Sequence, residues 1–199
     1  MRKTSNKPGF PEMKRVRQRT DSHCGPAVLE MLLSELKIFI NQEKFVAAMN
    51  VEHKLKHHGM TVTELGDSVK RMVPTVNFWY RRGATVKTLH QLVNKHEVPV
   101  GVEWQGIFGK ASDGDDGHYA VITRIHPETN LVWRADPFGK FAGKDTRMSL
   151  RRFVKRWWDL NEVVNPKTGR IRHIRDYCMV FIVIPKRKTF PRELGLHKL

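Results

Sequence analysis

Gln18-Arg19-Thr20-Asp21-Ser22-His23-Cys24-Gly25-Pro26-Ala27 is the stretch from which both fold and chemistry can be built outward. The run behind it, Val28 to Leu36, holds no glycine or proline and is rich in good helix formers. The pattern predicts a helix with Cys24 at its N-terminus. Unpaired backbone N–H groups and the positive end of the helix dipole stabilise an anion at that position, which suits a thiolate nucleophile. Pro26 fits the first helical turn, where its missing N–H costs nothing. Gln18 lies six residues before the cysteine, so its carboxamide N–H can fold back beside the Cys24 backbone N–H. Together the two donors could form an oxyanion hole.

A nucleophile needs a base, and the base needs an orienter. Downstream, Gly117 to Ile125 (GHYAVITRI) reads as a mostly apolar strand that begins at His118. Leu131 to Pro137 (LVWRADP) reads as a second strand, terminated by Pro137 with the carboxylate of Asp136 at its end. His126-Pro127-Glu128-Thr129-Asn130 between them is a turn. A hairpin of this kind sets the first residues of one strand beside the last of the other, which makes His118 and Asp136 neighbours.

These residues carry a resemblance. The chain resembles the papain-like cysteine peptidases, most closely the bacteriocin-processing, double-glycine leader peptidases and their stand-alone relatives. The family's pattern is a glutamine six residues before a C-G-x-A cysteine that opens a helix, then His-Tyr or His-Phe with an apolar run, then Asp-Pro. Gln18, Cys24-Gly25-Pro26-Ala27, His118-Tyr119-Ala120-Val121-Ile122 and Asp136-Pro137 supply it in that order, across roughly residues 15 to 185. One local departure is His23, where the family often has an acidic residue. The resemblance implies a Cys24-His118-Asp136 triad with Gln18 as oxyanion donor, a peptide or protein substrate, and hydrolysis of an amide bond. Cys, His and Asp in this chain order also serve acyl transferases, so transfer to an amine is an alternative. A catalytically silent peptidase-like module that binds peptide or nucleic acid is another.

The 199 residues suit one domain long enough to bury a core without covalent staples, and 40% hydrophobic content is ordinary for a globular protein. There are two cysteines. Cys178 falls in the apolar run Tyr177 to Ile184, which reads as a buried strand, so no disulfide framework is expected. The basic N-terminus is not followed by an apolar segment, and no stretch reaches the length of a membrane span. A cytoplasmic location is the default expectation.

The net charge of +16 is unevenly spread. Residues 1–19 carry seven basic groups against one acidic, and residues 140–199 sixteen against five, while residues 20–139 carry thirteen against fourteen. A basic arm (1–14), a peptidase domain (15–185) whose stretch 20–139 is near neutral, and a basic tail (186–199) are expected. Such flanks could meet nucleic acid or an anionic surface, although no aromatic-interleaved RNA motif or zinc-finger spacing accompanies them; a solvated face is the plainer reading.

Helices are expected at 42–49, 61–72, 85–96 and 149–158, and strands at 76–80, 98–104 and 177–184, besides the hairpin. Thr61-Val62-Thr63-Glu64 has capping-box spacing. Helices early and strands late give an α+β class, an N-terminal helical part against a C-terminal antiparallel sheet. His53 and His57 have metal-ligand spacing but nothing completes the set, and Asp113-Gly114-Asp115-Asp116-Gly117 lacks the closing glutamate of a calcium loop. No metal or cofactor is expected.

Overall fold

Val180-Phe181-Ile182-Val183-Ile184 is apolar at every position, as a strand buried on both faces requires. In a computed structural model of the chain, which describes residues 9–56, 58–106, 117–164 and 168–199, this run forms β8 (Val180–Pro185) near the middle of a seven-stranded sheet. Phe181 and Val183 enter one core; Val180, Ile182 and Ile184 enter the other. The strands are β1 (Val76–Arg81), β2 (Val100–Gln105), β3 (Gly117–His126), β4 (Leu131–Ala135), β5 (Asp145–Ser149), β8 and β9 (His197–Lys198), in the order β5-β4-β3-β2-β8-β1-β9. Each of these pairs is antiparallel. Gly101 of β2 must be glycine, because a Cβ there would lie 2.3 Å from the Phe181 ring.

On one face lie α1 (Cys24–Glu35), α2 (Gln42–Met49) and α3 (Val62–Met72). Nearly all of α1 is buried, as expected of a helix apolar on every side. Asn41 caps α2, and Thr61 with Glu64 forms the reciprocal capping box expected for α3. On the other face are α4 (Val86–His90), continued by a wider turn at Gln91–Lys95, and α5 (Leu150–Arg156). The class is thus α+β with a papain-like arrangement, and the sheet has helices on both sides.

The structure differs from the sequence expectation at both ends. From Gly9 onward the basic arm is packed on the fold: Met13 is buried, and Arg15 bonds the carbonyls of Gly9 and Phe10 and the carboxylate of Asp145. The expected basic tail returns to the sheet. β9 pairs with β1, Leu196 is buried, and Leu199 donates its N–H to Phe78 O. Apolar residues among the lysines drive this docking. The run 177–184 is not one strand either: Cys178 has φ 52°, and this left-handed residue separates β7 (Ile171–Tyr177) from β8. β7 forms a separate two-stranded ribbon with β6 (Trp158–Val164), which takes over where the helix expected to reach Trp158 stops at Arg156. His57 and the Asp113–Asp116 segment lie outside the described residues.

Candidate active site

The Cys24 side of the site is fixed mainly by neutral groups. Cys24 opens α1, whose preceding residue His23 gives no side-chain cap, so the first-turn N–H groups depend on partners from outside the helix. Gly25 is pressed against Leu65 and Tyr119, where an added Cβ would meet carbon atoms at 3.1 to 3.3 Å. This holds the helix start directly on β3. The loop before it is bound on two sides: Gln18 N–H donates to Pro137 O at 2.9 Å, and the buried Gln42 carboxamide bridges Arg17 O (2.9 Å) and Arg19 N–H (3.1 Å). Gln18 therefore ties the loop before Cys24 to the turn that follows Asp136. Its Nε2 donates to Thr20 O (2.9 Å) and Asp21 O (3.0 Å), within its own loop. These two carbonyls fix the carboxamide orientation, since a flip would set oxygen against oxygen.

The His118 side of the site is fixed by charge. β3 and β4 pair as expected, with a register shift between Ile122 and Arg124. Continuing the register Val121↔Ala135 past the strand end makes Asp136 a same-face diagonal neighbour of His118. His118 Nε2 lies 2.8 Å from Asp136 Oδ1, both side chains buried. The same carboxylate oxygen accepts the Phe138 N–H at 3.0 Å, and Oδ2 accepts Arg134 Nε–H at 3.3 Å. The Phe138 ring stands edge-on to the imidazole, centroids 6.4 Å apart.

The two sides meet where Cys24 and His118 interact. With Nε2 committed to Asp136, Nδ1 is the ring nitrogen left for the sulfur. Burial works against the imidazolium, yet the bonds to Asp136 and Cys24 outweigh it and push the His118 pKa up to about 9. Burial likewise opposes ionised Asp136, but His118, the Phe138 N–H and Arg134 hold its pKa below the usual value. A thiol beside such a base can give up its proton to the ring, which the carboxylate then steadies as the cation.

On the other side of Tyr119 is a buried polar cluster. Glu103 pairs with Tyr119 across β2 and β3, Gln105 Nε2 donates to Asp159 Oδ1 at 3.0 Å, and Asp159 packs on Gly117. Burial, then Glu103 and Cys24 among its neighbours, push the Tyr119 phenol well above its ordinary pKa. The four residues named from sequence, Gln18, Cys24, His118 and Asp136, thus lie around one junction. Sequence reading missed Gln42, Arg134 and Phe138. Only Arg134 carries a signal, a charge at an inward position of an apolar strand. His53 is exposed, and among the described residues no group of three or more His, Cys, Asp or Glu could hold a metal ion. Neither is any described helix long and apolar enough to cross a membrane.

The family model described as the Peptidase_C39 like family matches residues 10–164. Among solved structures, the peptidase domain of Streptococcus ComA, a bifunctional ABC transporter involved in a quorum-sensing pathway, is similar with a TM-score of 0.57 at 20% identity. The match covers 87% of this chain and 99% of that domain. No curated protein sequence matches. The relation to double-glycine peptidases expected from Gln18, Cys24, His118 and Asp136 agrees with the family matched. The chain belongs to the Peptidase_C39 like family and is a cysteine-type peptidase.

Proposed function

We propose that the chain hydrolyses a peptide bond through Cys24, His118 and Asp136, with the oxyanion bound by the Cys24 backbone N–H and the Gln18 carboxamide. The observation that carries this reading is the buried imidazole of His118, bonded to Asp136 through Nε2 and interacting with Cys24, whose influence helps raise its proton affinity. The thiolate attacks the scissile carbonyl carbon, and the carbonyl π pair moves onto oxygen. The helix-start N–H of Cys24 stabilises that charge, and a Gln18 N–H exchanges its bond to a loop carbonyl for one to the oxyanion. The imidazolium of His118 then gives its proton to the leaving amine as the C–N bond breaks. A thioester on Cys24 remains. Neutral His118 takes a proton from water, the resulting hydroxide adds to the thioester, and collapse expels the thiolate and the new carboxylic acid. Asp136 keeps the ring oriented and favours its charged form throughout.

The substrate class is a peptide. A library that includes double-glycine sequences, incubated with wild type and Cys24→Ala and read by mass spectrometry, should show cleavage by the wild type alone. Fragments with free carboxylates indicate hydrolysis; fragments capped by an added amine indicate transfer. Cleavage that persists in Cys24→Ala contradicts the proposal.

A further inference from the structure

Arg134 is a buried cation at the floor of this site. Its side chain is 5% exposed, and its guanidinium carbon lies 4.6 Å from the Trp104 ring centroid and 5.4 Å from that of Phe141. Nη1 approaches Met148 Sδ at 3.1 Å, and Nε bonds Asp136 Oδ2 at 3.3 Å. Taking a guanidinium out of water is costly, and leaving its carboxylate partner alone in the interior is costlier still. Two aromatic faces offset part of that cost and fix the plane of the group.

Charge balance gives the arrangement a purpose. Before proton transfer the buried groups are neutral Cys24 and His118 with Asp136 negative and Arg134 positive. After transfer they are thiolate, imidazolium, carboxylate and guanidinium, alternating in sign. The sum is zero in both states, and without Arg134 it is one negative charge in both. Around the set, Cys24 is faced by His118 and the Tyr119 phenol, with Glu103 beyond it, His118 by Asp136 and Cys24, Asp136 by His118, Arg134 and the Phe138 N–H, and Arg134 by Asp136 and, as a like charge from α5, Arg152. We propose that Arg134 is a positioning residue of the catalytic site: clamped between Trp104 and Phe141, it holds one carboxylate oxygen of Asp136 so that the other stays on His118. It touches neither substrate nor reacting atoms and acts through Asp136.

The inference rests on the peptidase reading but can be tested without a substrate, by the rate at which an iodoacetamide-type electrophile labels Cys24 as a function of pH. Removing the cation lets Asp136 protonate at higher pH and withdraws positive charge from the thiolate, so both effects move the onset of labelling upward. For Arg134→Met, of similar length and apolar, the onset should rise by about one pH unit, which lowers the rate at mildly acidic pH about tenfold. Arg134→Lys, which keeps the charge and loses the fork, should fall between the two. On an Asp136→Asn background Arg134→Met should add less loss than it does in the wild type, because the group it positions is gone and only its charge at a distance is removed. A folded Arg134→Met with the wild-type onset overturns the role. Should Arg134→Met not fold, Arg134→Lys decides, and a wild-type rate in that variant overturns it. An ordinary thiol profile already in the wild type removes the peptidase site and this proposal together, so the two failures are distinct.

Discussion

The two sides of the junction are built by different physics. The Cys24 side is held mainly by neutral contacts: carboxamides of Gln18 and Gln42 on backbone groups, Gly25 packed on Leu65 and Tyr119, and an apolar helix, the Arg19–Glu43 ion pair being exposed. On the His118 side the supports are ionic: Asp136 on the ring, Arg134 on Asp136, and aromatic faces around the guanidinium. Neutral contacts set where the sulfur is and leave its charge state to its neighbours. Ionic contacts set proton affinity, and they respond to pH. Position and proton affinity can therefore be broken separately.

On the proposed mechanism the largest effects come from removing the reacting groups. Cys24→Ala and His118→Ala should each lower peptide turnover by on the order of 10⁶-fold, and Asp136→Asn by less, about 10³- to 10⁴-fold, because geometry survives while the ring loses its partner. Single-turnover kinetics on a cleaved peptide measure all three. Equal losses for His118→Ala and Asp136→Asn would erase the distinction between base and orienter.

Stability should follow pH on the ionic side. The folded pKa of His118, about 9 against an ordinary 6.5, is raised, so its contribution is full below about 6.5 and is lost as pH climbs through 9. The difference corresponds to on the order of 3 kcal/mol. The Asp136 value is lowered, so its contribution is present above the ordinary carboxylate range and is lost as pH falls through the folded value. Urea unfolding across pH 3 to 10 should show both flanks, with the alkaline loss reduced in His118→Ala. A flat alkaline limb in the wild type would mean that the ring carries no such charge.

On the neutral side, Gln18→Ala should cost about 10²- to 10³-fold in kcat with a small change in melting temperature if its N–H serves the oxyanion. If the carboxamide only closes its loop onto Thr20 and Asp21, kcat and melting temperature should fall together. Smaller still is Gln42→Ala, which removes the bridge between Arg17 O and Arg19 N–H and should destabilise by about 1 to 3 kcal/mol. Its pH profile of activity should keep the wild-type shape, since no charge near the site has changed.

Legibility in the sequence divides along similar lines. Local signals carried the helix start at Cys24, the Thr61 capping box, and the hairpin that brings Asp136 to His118. Gln42 looked like the first residue of a helix, and nothing near it in sequence tells that its carboxamide reaches back across more than twenty residues to Arg17 and Arg19. Arg134 was visible as a charge in an apolar strand, but its clamp comes from Trp104 and Phe141 on either side in the chain. The β6–β7 ribbon was hidden by polar composition, with Asp159, Asn161 and Glu162 on one strand and Arg172, His173 and Arg175 on the other. The apparent continuity of Tyr177 with Ile184 concealed the left-handed residue at Cys178.

A Cys24–His118 charged pair steadied by Asp136 is probed most directly by the titration of the His118 ring by NMR. Its resonances are assigned by their absence in His118→Gln, and the titration is repeated in Cys24→Ala. The imidazolium should persist through neutral pH, titrate near 9 in the wild type, and titrate lower once the sulfur is gone. A His118 that loses its proton near its ordinary value of 6.5, with or without Cys24, would contradict it.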